Sequence, residues 1–138
     1  MKAEKTITIC GKEVRMRYCL ASETGFEKLA DKEVSVFLPT PTLDKDKDGN
    51  IIYDKPKATT EDFLKLSVAC ILAAYEREDK EPPVSVSDIL YDSTPDEVAS
   101  MIASTYELRI KWYELPGVIK PETEEKAEKK EEDNGKNA

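Results

Sequence analysis

Histidine is absent from the 138 residues of this chain. In enzymes histidine is the most frequent general acid–base group, it activates serine and cysteine nucleophiles, and it is the commonest ligand of catalytic zinc. Its absence excludes these chemistries, and the spacing of the carboxylates and lysines points to no other reaction. We therefore expect a protein that is not an enzyme, with no catalytic residue and no cofactor.

Cysteine is scarce: the sequence has Cys10, Cys19 and Cys70, with no C-x-x-C pair. An odd number of widely spaced cysteines argues against a disulfide framework and against a structural zinc site. The first ten residues lack the apolar core of a secretory signal peptide. No apolar run reaches the roughly 18 residues that a membrane span requires. These absences predict a cytoplasmic protein with reduced thiols and no membrane association.

Basic residues are outnumbered, since 21 lysines and arginines stand against 29 aspartates and glutamates. The net charge of −8 disfavours binding to nucleic acid, because neutralising phosphates needs a basic surface. A nucleic-acid-binding module is therefore the least favoured alternative. A protein partner, in particular a basic segment of one, fits the charge better.

Two short segments near the N-terminus alternate polar and apolar residues, as half-buried strands do. They cover Lys5–Ile9 and Glu13–Tyr18, with a tight turn expected near Gly11. Counting outward from that turn predicts three cross-strand pairs: Ile9 with Val14, Ile7 with Met16, and Lys5 with Tyr18. This register gives a hairpin with one apolar face and one polar face. The polar face carries Thr6, Thr8, Arg15 and Arg17.

One short helix and one strand-like run are expected next. Ser22 is a suitable N-cap for a helix over 23–30. The side chains expected to face inward from this helix are Phe26, Leu29 and Ala30. The segment Val34–Leu38 is strand-like and is followed by a proline, which predicts a third strand.

The stretch DKDKDGNIIYDK, residues 44–55, has the opening spacing of an EF-hand calcium loop. The candidate ligands are Asp44, Asp46 and Asp48. The twelfth position, where a bidentate glutamate belongs, is Lys55, and prolines rather than helices flank the loop. Because Asp48-Gly49-Asn50 is a strong turn signal, the favoured interpretation is a hairpin with Ile51–Tyr53 as its return strand. We expect no metal site, and a calcium-binding regulator using Asp44–Asp54 is an alternative.

Two long helices dominate the second half of the sequence. A threonine cap followed by acids starts the first, whose segment Phe63–Tyr75 is apolar on most sides, as in a buried helix. A short helical turn is expected over Ser87–Tyr91. Thr94-Pro95 starts a second long helix that runs to about Glu114. One side of that helix is expected to carry Val98, Met101, Ile102, Thr105, Tyr106, Arg109, Trp112 and Tyr113.

Together these segments predict an α+β fold, with one or two small hairpins packed on a mainly helical body. A single domain is placed at residues 1–117. From residue 118 to 138 glutamate, lysine, aspartate and asparagine dominate, which predicts a disordered charged tail.

The order of these features resembles that of the tail assembly chaperones of long-tailed bacteriophages and prophages. The resemblance rests on the hairpin ITICGKEVRMRY, of the form I-x-I-x-G-K-x-V-x-[LM]-R-[YF]. It rests also on the helical segments DFLKLSVACILAAYE and SDILYDSTPDEVASMIASTYELRIKWY. It spans residues 5 to about 115 and includes no catalytic signature.

The resemblance implies a non-enzymatic protein of the host cytoplasm that binds the tape-measure and tail-tube proteins during tail morphogenesis. Such proteins tend to form homo-oligomers and are absent from the mature particle. In that family a C-terminal extension, sometimes made by translational frameshifting, recruits tube subunits. The alternative is a structural or accessory subunit of the particle, of the head–tail joining type.

Apolar helical side chains are the candidate partner-binding residues, because a chaperone needs apolar surface to share rather than reactive groups. They lie on the two long helices. They are Phe63, Leu66, Ile71, Tyr75, Met101, Tyr106, Trp112 and Tyr113.

Overall fold

The structure, a computed structural model, describes residues 2–115. In chain order the elements are β1 (Ala3–Ile9), β2 (Lys12–Tyr18), α1 (Leu20–Ala30), a 3₁₀ turn (Val34–Phe37), β3 (Thr40–Lys45), β4 (Ile51–Asp54), α2 (Thr60–Glu76), α3 (Val86–Asp92) and α4 (Pro95–Glu114). The strands form two separate antiparallel hairpins, β1–β2 and β3–β4. The predicted α+β class is confirmed. The tail predicted at 118–138 lies outside the described residues, as does the end of the predicted domain at 116–117.

The β1–β2 hairpin has the predicted apolar face but a different register. Its loop is the two residues Cys10 and Gly11, which both have positive φ (52° and 73°), as a type I′ turn requires. The pairs are consequently Ile7 with Val14, Lys5 with Met16, and Ala3 with Tyr18, two residues away from the predicted register. Because side chains alternate with a period of two, a shift of two residues keeps every side chain on its predicted face.

The core forms where this hairpin lies across the two long helices, with β2 on α2 and β1 on α4. The hairpin contributes Ala3, Ile7, Ile9, Val14, Met16 and Tyr18, all buried. Helix α1 packs on the other side of α2. The two helices approach closely at Gly25, where an added Cβ would meet the Cβ of Ala69 at 3.4 Å.

Helix α1 begins earlier than predicted, because Cys19 rather than Ser22 is its N-cap. The Ser22 hydroxyl is buried in the first turn, where it accepts a hydrogen bond from the Cys19 N–H (3.1 Å) and donates one to the Arg17 carbonyl (2.6 Å). Phe26 is buried as predicted, and Ala30 is half-buried. Leu29 is 44% exposed, so the prediction that it faces inward is wrong. The inward position one turn before Phe26 is taken by Glu23 instead.

The segment Val34–Leu38 is a 3₁₀ turn followed by an extended residue, so the predicted third strand is wrong there. The Val36 N–H and the Leu38 N–H close i→i+3 bonds to Glu33 (3.2 Å) and Ser35 (3.0 Å). The turn directs Phe37 into the core, where its ring packs edge-on against Phe26 and Phe63, both at 4.9 Å between centroids. Burial of one aromatic ring outweighs a weak strand preference that has no neighbouring strand to pair with.

The predicted hairpin in the aspartate-rich stretch is confirmed as β3–β4. One carboxylate oxygen of Asp46 accepts the backbone N–H groups of Asp48 (2.9 Å) and Asn50 (3.0 Å) at the turn. Gly49 follows with φ of 82°, a value that favours glycine. The carboxylate therefore organises the backbone of the turn.

Both predicted long helices are confirmed, and each starts with a reciprocal capping box. In α2 the Thr59 hydroxyl accepts the Asp62 N–H (3.2 Å), and the Asp62 carboxylate accepts the Thr59 N–H (2.9 Å). Thr94 and Glu97 repeat this arrangement in α4. The predicted short helix is α3, capped in the same manner by Ser85.

Asp62 is a charged residue at the start of α2 that is almost fully buried, with 2% of its surface exposed. Desolvation alone would raise the pKa of Asp62. The hydrogen bonds from Thr59 and from the Lys32 ammonium (3.0 Å) outweigh that cost and lower the pKa below its ordinary value. The ionised carboxylate thus stabilises the fold in two ways. It caps α2, and it forms an ion pair with Lys32 in the loop that follows α1.

We expect Asp62→Asn to lower the free energy of unfolding by about 1–3 kcal/mol at pH 7, because the charged partner of Lys32 is lost. Since the folded pKa is depressed, this contribution is complete above the unfolded value of about 3.9 and disappears as the pH falls through the folded pKa. The difference between the two proteins in urea unfolding should accordingly shrink below about pH 4.

Glu61→Gln is the matched control, because Glu61 lies beside Asp62 with its side chain 73% exposed and, in the described part of the chain, pairs with Lys65 of the same helix. It should change stability by less than about 0.5 kcal/mol. An equal cost for both substitutions, or a difference for Asp62→Asn that persists at pH 2, would contradict the role given to Asp62.

Candidate protein-binding surface on α3 and α4

Helix α4 has two apolar faces. The inner face is buried against the hairpin and α2 through Met101, Thr105 and Leu108. The outer side chains recur at every fourth position, which aligns them along one side of a helix. They are Val98, Ile102, Tyr106 and Ile110. The first two are half-buried, whereas Tyr106 is 41% exposed and Ile110 51% exposed.

A groove opens beside the first turns of this outer face, with a volume of about 490 Å³. Its walls come from α2, α3, α4 and the link between α3 and α4. It is lined by Leu64, Ile89, Leu90, Ser93, Pro95, Val98, Ala99 and Ile102. Six of these eight side chains are aliphatic, the exceptions being Ser93 and Pro95. The groove therefore offers mostly hydrocarbon to an incoming group.

Helix α3 is held in place by its buried side and leaves the opposite side open. Ile89 is 4% exposed and belongs to the core, and the Ser93 hydroxyl donates to the Ile89 carbonyl at the end of the helix. Leu90 and Tyr91, by contrast, are 61% and 82% exposed. The short connection through Ser93 and Thr94 places these side chains beside the N-terminal turns of α4.

The outer apolar surface is defined here as Leu64, Leu90, Val98, Ile102, Tyr106 and Ile110. It adjoins the core through a line of rings, because Phe63 packs on Tyr106 at 5.1 Å between centroids and on Phe37 at 4.9 Å. The polar side of α4 lies elsewhere and is tied to β1, since Glu107 bonds Lys5 at 2.9 Å. This ion pair lowers the pKa of Glu107 below its ordinary value.

Most of the eight predicted partner-binding residues do not lie on the surface. Five of them are buried within the chain's own core, which removes them from any surface of this chain: Leu66, Ile71, Tyr75, Met101 and Tyr113. Tyr75, for example, accepts the Arg15 N–H through its hydroxyl (3.1 Å) and lies 4.7 Å beneath the Arg15 guanidinium. Of the predicted set, Tyr106 is exposed and Phe63 and Trp112 are half-buried. Trp112 packs on Tyr18 at 5.5 Å.

Tyr106 is the one member of the outer apolar surface that was predicted to bind a partner. Val98 and Ile102 were expected on one side of α4 but not as partner-binding residues, and Leu64, Leu90 and Ile110 were not singled out. Ile110 could have been found, because it continues the four-residue spacing of Val98, Ile102 and Tyr106. Leu90 had no comparable signal, since a seven-residue helix is too short for its periodicity to show which side is buried.

A buried polar cluster lies inside the core, between α1, β2 and α4. One Glu23 carboxyl oxygen accepts hydrogen bonds from the Tyr18 hydroxyl (2.9 Å) and the Tyr113 hydroxyl (2.7 Å). The Arg109 guanidinium lies 5.1 Å from the centre of the Tyr113 ring. Burial, reinforced by the nearby carboxyl, raises the pKa of both tyrosines, so both hydroxyls stay protonated donors. This geometry supports a role in joining three elements.

A second cleft, of about 580 Å³, lies at the β1–β2 turn and is lined partly by carboxylates. Two of these are engaged by backbone groups: Asp88 accepts the Ser85 N–H (3.0 Å), and Glu97 accepts the N–H groups of Thr94 (2.9 Å) and Gly11 (3.2 Å). Desolvation, and then the charge of Glu97, raises the pKa of the Cys10 thiol. The thiol is therefore a poor nucleophile.

The other candidates for chemistry are the remaining thiols and the aspartate-rich turn. Burial raises the pKa of Cys70, and all three cysteines are free thiols. Within residues 2–115, no three cysteine, aspartate or glutamate side chains form a group able to hold a metal ion. The candidate calcium ligands Asp44, Asp46 and Asp48 are among the residues that form no such group.

Comparisons with known proteins add no identity: no family model, no curated protein and no solved structure matches the chain. None of the helices in the described part of the chain is both long and apolar enough to cross a membrane. The outer apolar surface combines a groove with the exposed side chains of Leu90, Tyr106 and Ile110, and it is the candidate binding surface.

We expect Tyr113→Phe to lower the free energy of unfolding by about 1–2 kcal/mol, because the carboxyl of Glu23 loses one of its two tyrosine donors. Tyr106→Phe is the matched control: it removes the same hydroxyl from an exposed ring and should cost less than about 0.5 kcal/mol. Urea unfolding of the two variants measures the difference. Equal effects would show that the buried hydrogen bond contributes nothing.

Proposed function

We propose that this chain is a non-enzymatic tail assembly chaperone of a phage or prophage, and that its outer apolar surface binds amphipathic helical segments of the tape-measure protein. The observation that carries the proposal is the second apolar face of α4, which residues 2–115 leave partly exposed. A helix laid into an apolar groove is a common mode of peptide recognition, and it needs no reactive group.

The dimensions of the surface suit a helical client. Twelve residues separate Val98 from Ile110, which corresponds to a length of about 18 Å along α4, or more than three turns. A client helix covers a comparable length when its apolar residues continue through i, i+3, i+4, i+7, i+8 and i+11, about 16.5 Å. The groove of about 490 Å³ beside Leu90 would take the larger anchoring side chains of such a helix.

The charge of the chain supports a chaperone role. A net charge of −8 keeps a protein with an open apolar surface from associating indiscriminately, and it keeps its complexes dispersed. A long amphipathic helical protein made before its partners polymerise around it needs that protection. The phage setting and the further contact with tail-tube proteins come from the resemblance of the hairpin and helical segments, and they are part of the proposal.

A structural or accessory subunit of the particle is the second candidate function. The observation favouring it is the β3–β4 hairpin, which extends from the body with nearly all its side chains exposed. Mass spectrometry of purified particles separates the two functions, because a chaperone acts during assembly and is absent from the finished tail.

We expect the double variant Leu90→Gln/Ile110→Gln to bind a tape-measure helical segment at least about tenfold more weakly than the unmodified chain. Each substitution removes one large apolar side chain from the interface, and burial of such a side chain contributes about 1.5–3 kcal/mol. The measurement is calorimetric titration, supported by the soluble yield of the tape-measure protein on co-expression.

Leu20→Gln is the matched control, since Leu20 is 65% exposed on α1, a helix that contributes no residue to the outer apolar surface. It should leave both affinity and soluble yield unchanged. The proposal fails if the unmodified chain forms no complex with the tape-measure protein. It fails equally if Leu20→Gln and the double variant weaken binding to the same extent.

A further inference from the structure

The β3–β4 hairpin, called the arm from here on (Thr40–Asp54), is a sheet without a packed face. All four residues of β4 are exposed, including Ile51, Ile52 and Tyr53, and Leu43 in β3 is fully exposed. A two-stranded hairpin with no covered face is marginally stable in water, whereas three or more strands can sustain a sheet. The exposed apolar side chains of the arm are therefore those expected of a sheet that gains further strands from a partner.

The two edges of the arm differ in their capacity to accept a further strand. In β3, Pro41 lacks an N–H group and the register is irregular between Pro41 and Lys45. Both features weaken pairing along that edge. In β4 the segment Ile51–Asp54 contains neither proline nor glycine, and its apolar side chains are exposed on both faces. The edge of β4 is the open one.

The charges of the arm select its partner. The tip, Asp46-Lys47-Asp48, has a net charge of −1, and the base, Asp54, Lys55 and Lys57, has a net charge of +1. Counted together with the three residues that follow it, 55–57, the arm has four aspartates and four lysines and is neutral, although the whole chain carries −8. Two copies of the arm can therefore approach each other without the repulsion that separates their bodies.

Antiparallel pairing is the arrangement in which these charges complement each other. It places the negative tip of each copy beside the positive base of the other, whereas parallel pairing would align tip with tip and base with base. Antiparallel pairing of identical strands also has two-fold symmetry, the commonest symmetry of protein dimers.

We propose that β4 pairs antiparallel with β4 of a second copy, giving a four-stranded sheet in the order β3-β4-β4-β3 across a two-fold axis. Ile51, Ile52 and Tyr53 then meet their counterparts across the axis, where cross-strand apolar pairs stabilise a sheet. The arm shares no residue with the outer apolar surface, so each copy in the dimer keeps its own client-binding face. The inference does not depend on the proposed function.

A charge-swap series measured by sedimentation equilibrium tests this dimer. Asp48→Lys changes the tip from −1 to +1, and Lys55→Glu changes the base from +1 to −1, so each single variant sets like charges against each other. The double variant restores opposite charges with the signs exchanged. Asp48 contributes its backbone N–H to the turn, which the lysine retains.

The unmodified chain should show a monomer–dimer equilibrium, each single variant should dissociate about tenfold more readily, and the double variant should return to within about threefold of the original. Added salt should reduce these differences. In the dimer the amides of Ile51–Asp54 should also exchange with solvent more slowly than in the monomer.

Three outcomes would overturn the proposal. One is a chain that stays monomeric at millimolar concentration. Another is a dimer whose dissociation constant is unchanged in both single variants, or is not restored in the double variant. The third is a dimer in which the amides of β4 exchange as fast as in the monomer, since association would then involve another surface. Circular dichroism of each variant checks that the body is folded, and the exposed position of the arm makes that the expected result.

Discussion

The burial of α2 is the constraint on which the rest of the structure depends. Strand β2, α1 and α4 all pack on this helix, and the segment Leu66–Ala74 is covered except at Leu72. Because three elements share one central helix, each must present an apolar side to it. The hairpin does so with alternate side chains, α1 with Phe26, and α4 with the side that carries Met101 and Leu108.

This arrangement decides which apolar residues remain for a partner. A helix enclosed on several sides has no surface to share, so the extreme apolarity of α2 serves the interior of this chain. Helix α4 lies at the margin of the core, and only its inner face is needed there. Its outer face, from Val98 to Ile110, is only partly covered within residues 2–115: Tyr106 packs on Phe63, yet Tyr106 and Ile110 remain 41% and 51% exposed. The surface available to the proposed partner therefore lies on the peripheral helix.

Much of the fold could be predicted from local patterns, because those patterns act over a few residues. The caps at Thr59 and Thr94 and the apolar face of the first hairpin are such cases. The predictions failed where a distant contact decided the outcome. The register depended on the backbone conformation of Cys10, and the segment after α1 turned because Phe37 inserts between Phe26 and Phe63. Five of the eight predicted partner-binding residues are buried, because burial depends on how the helices pack, and periodicity alone does not determine that packing.

The arm and the outer apolar surface represent two different ways of leaving apolar area in water. On α4 the exposed side chains rest on a helix whose backbone bonds are satisfied internally, so a partner gains only by side-chain contact. In β4 one backbone edge pairs with no other strand of residues 2–115, so a partner strand also gains hydrogen bonds. A site of the first kind can accept helices of varied sequence, whereas one of the second kind fixes direction and register. On the two proposals together, the chain would hold a variable client with one surface and a defined copy of itself with the other.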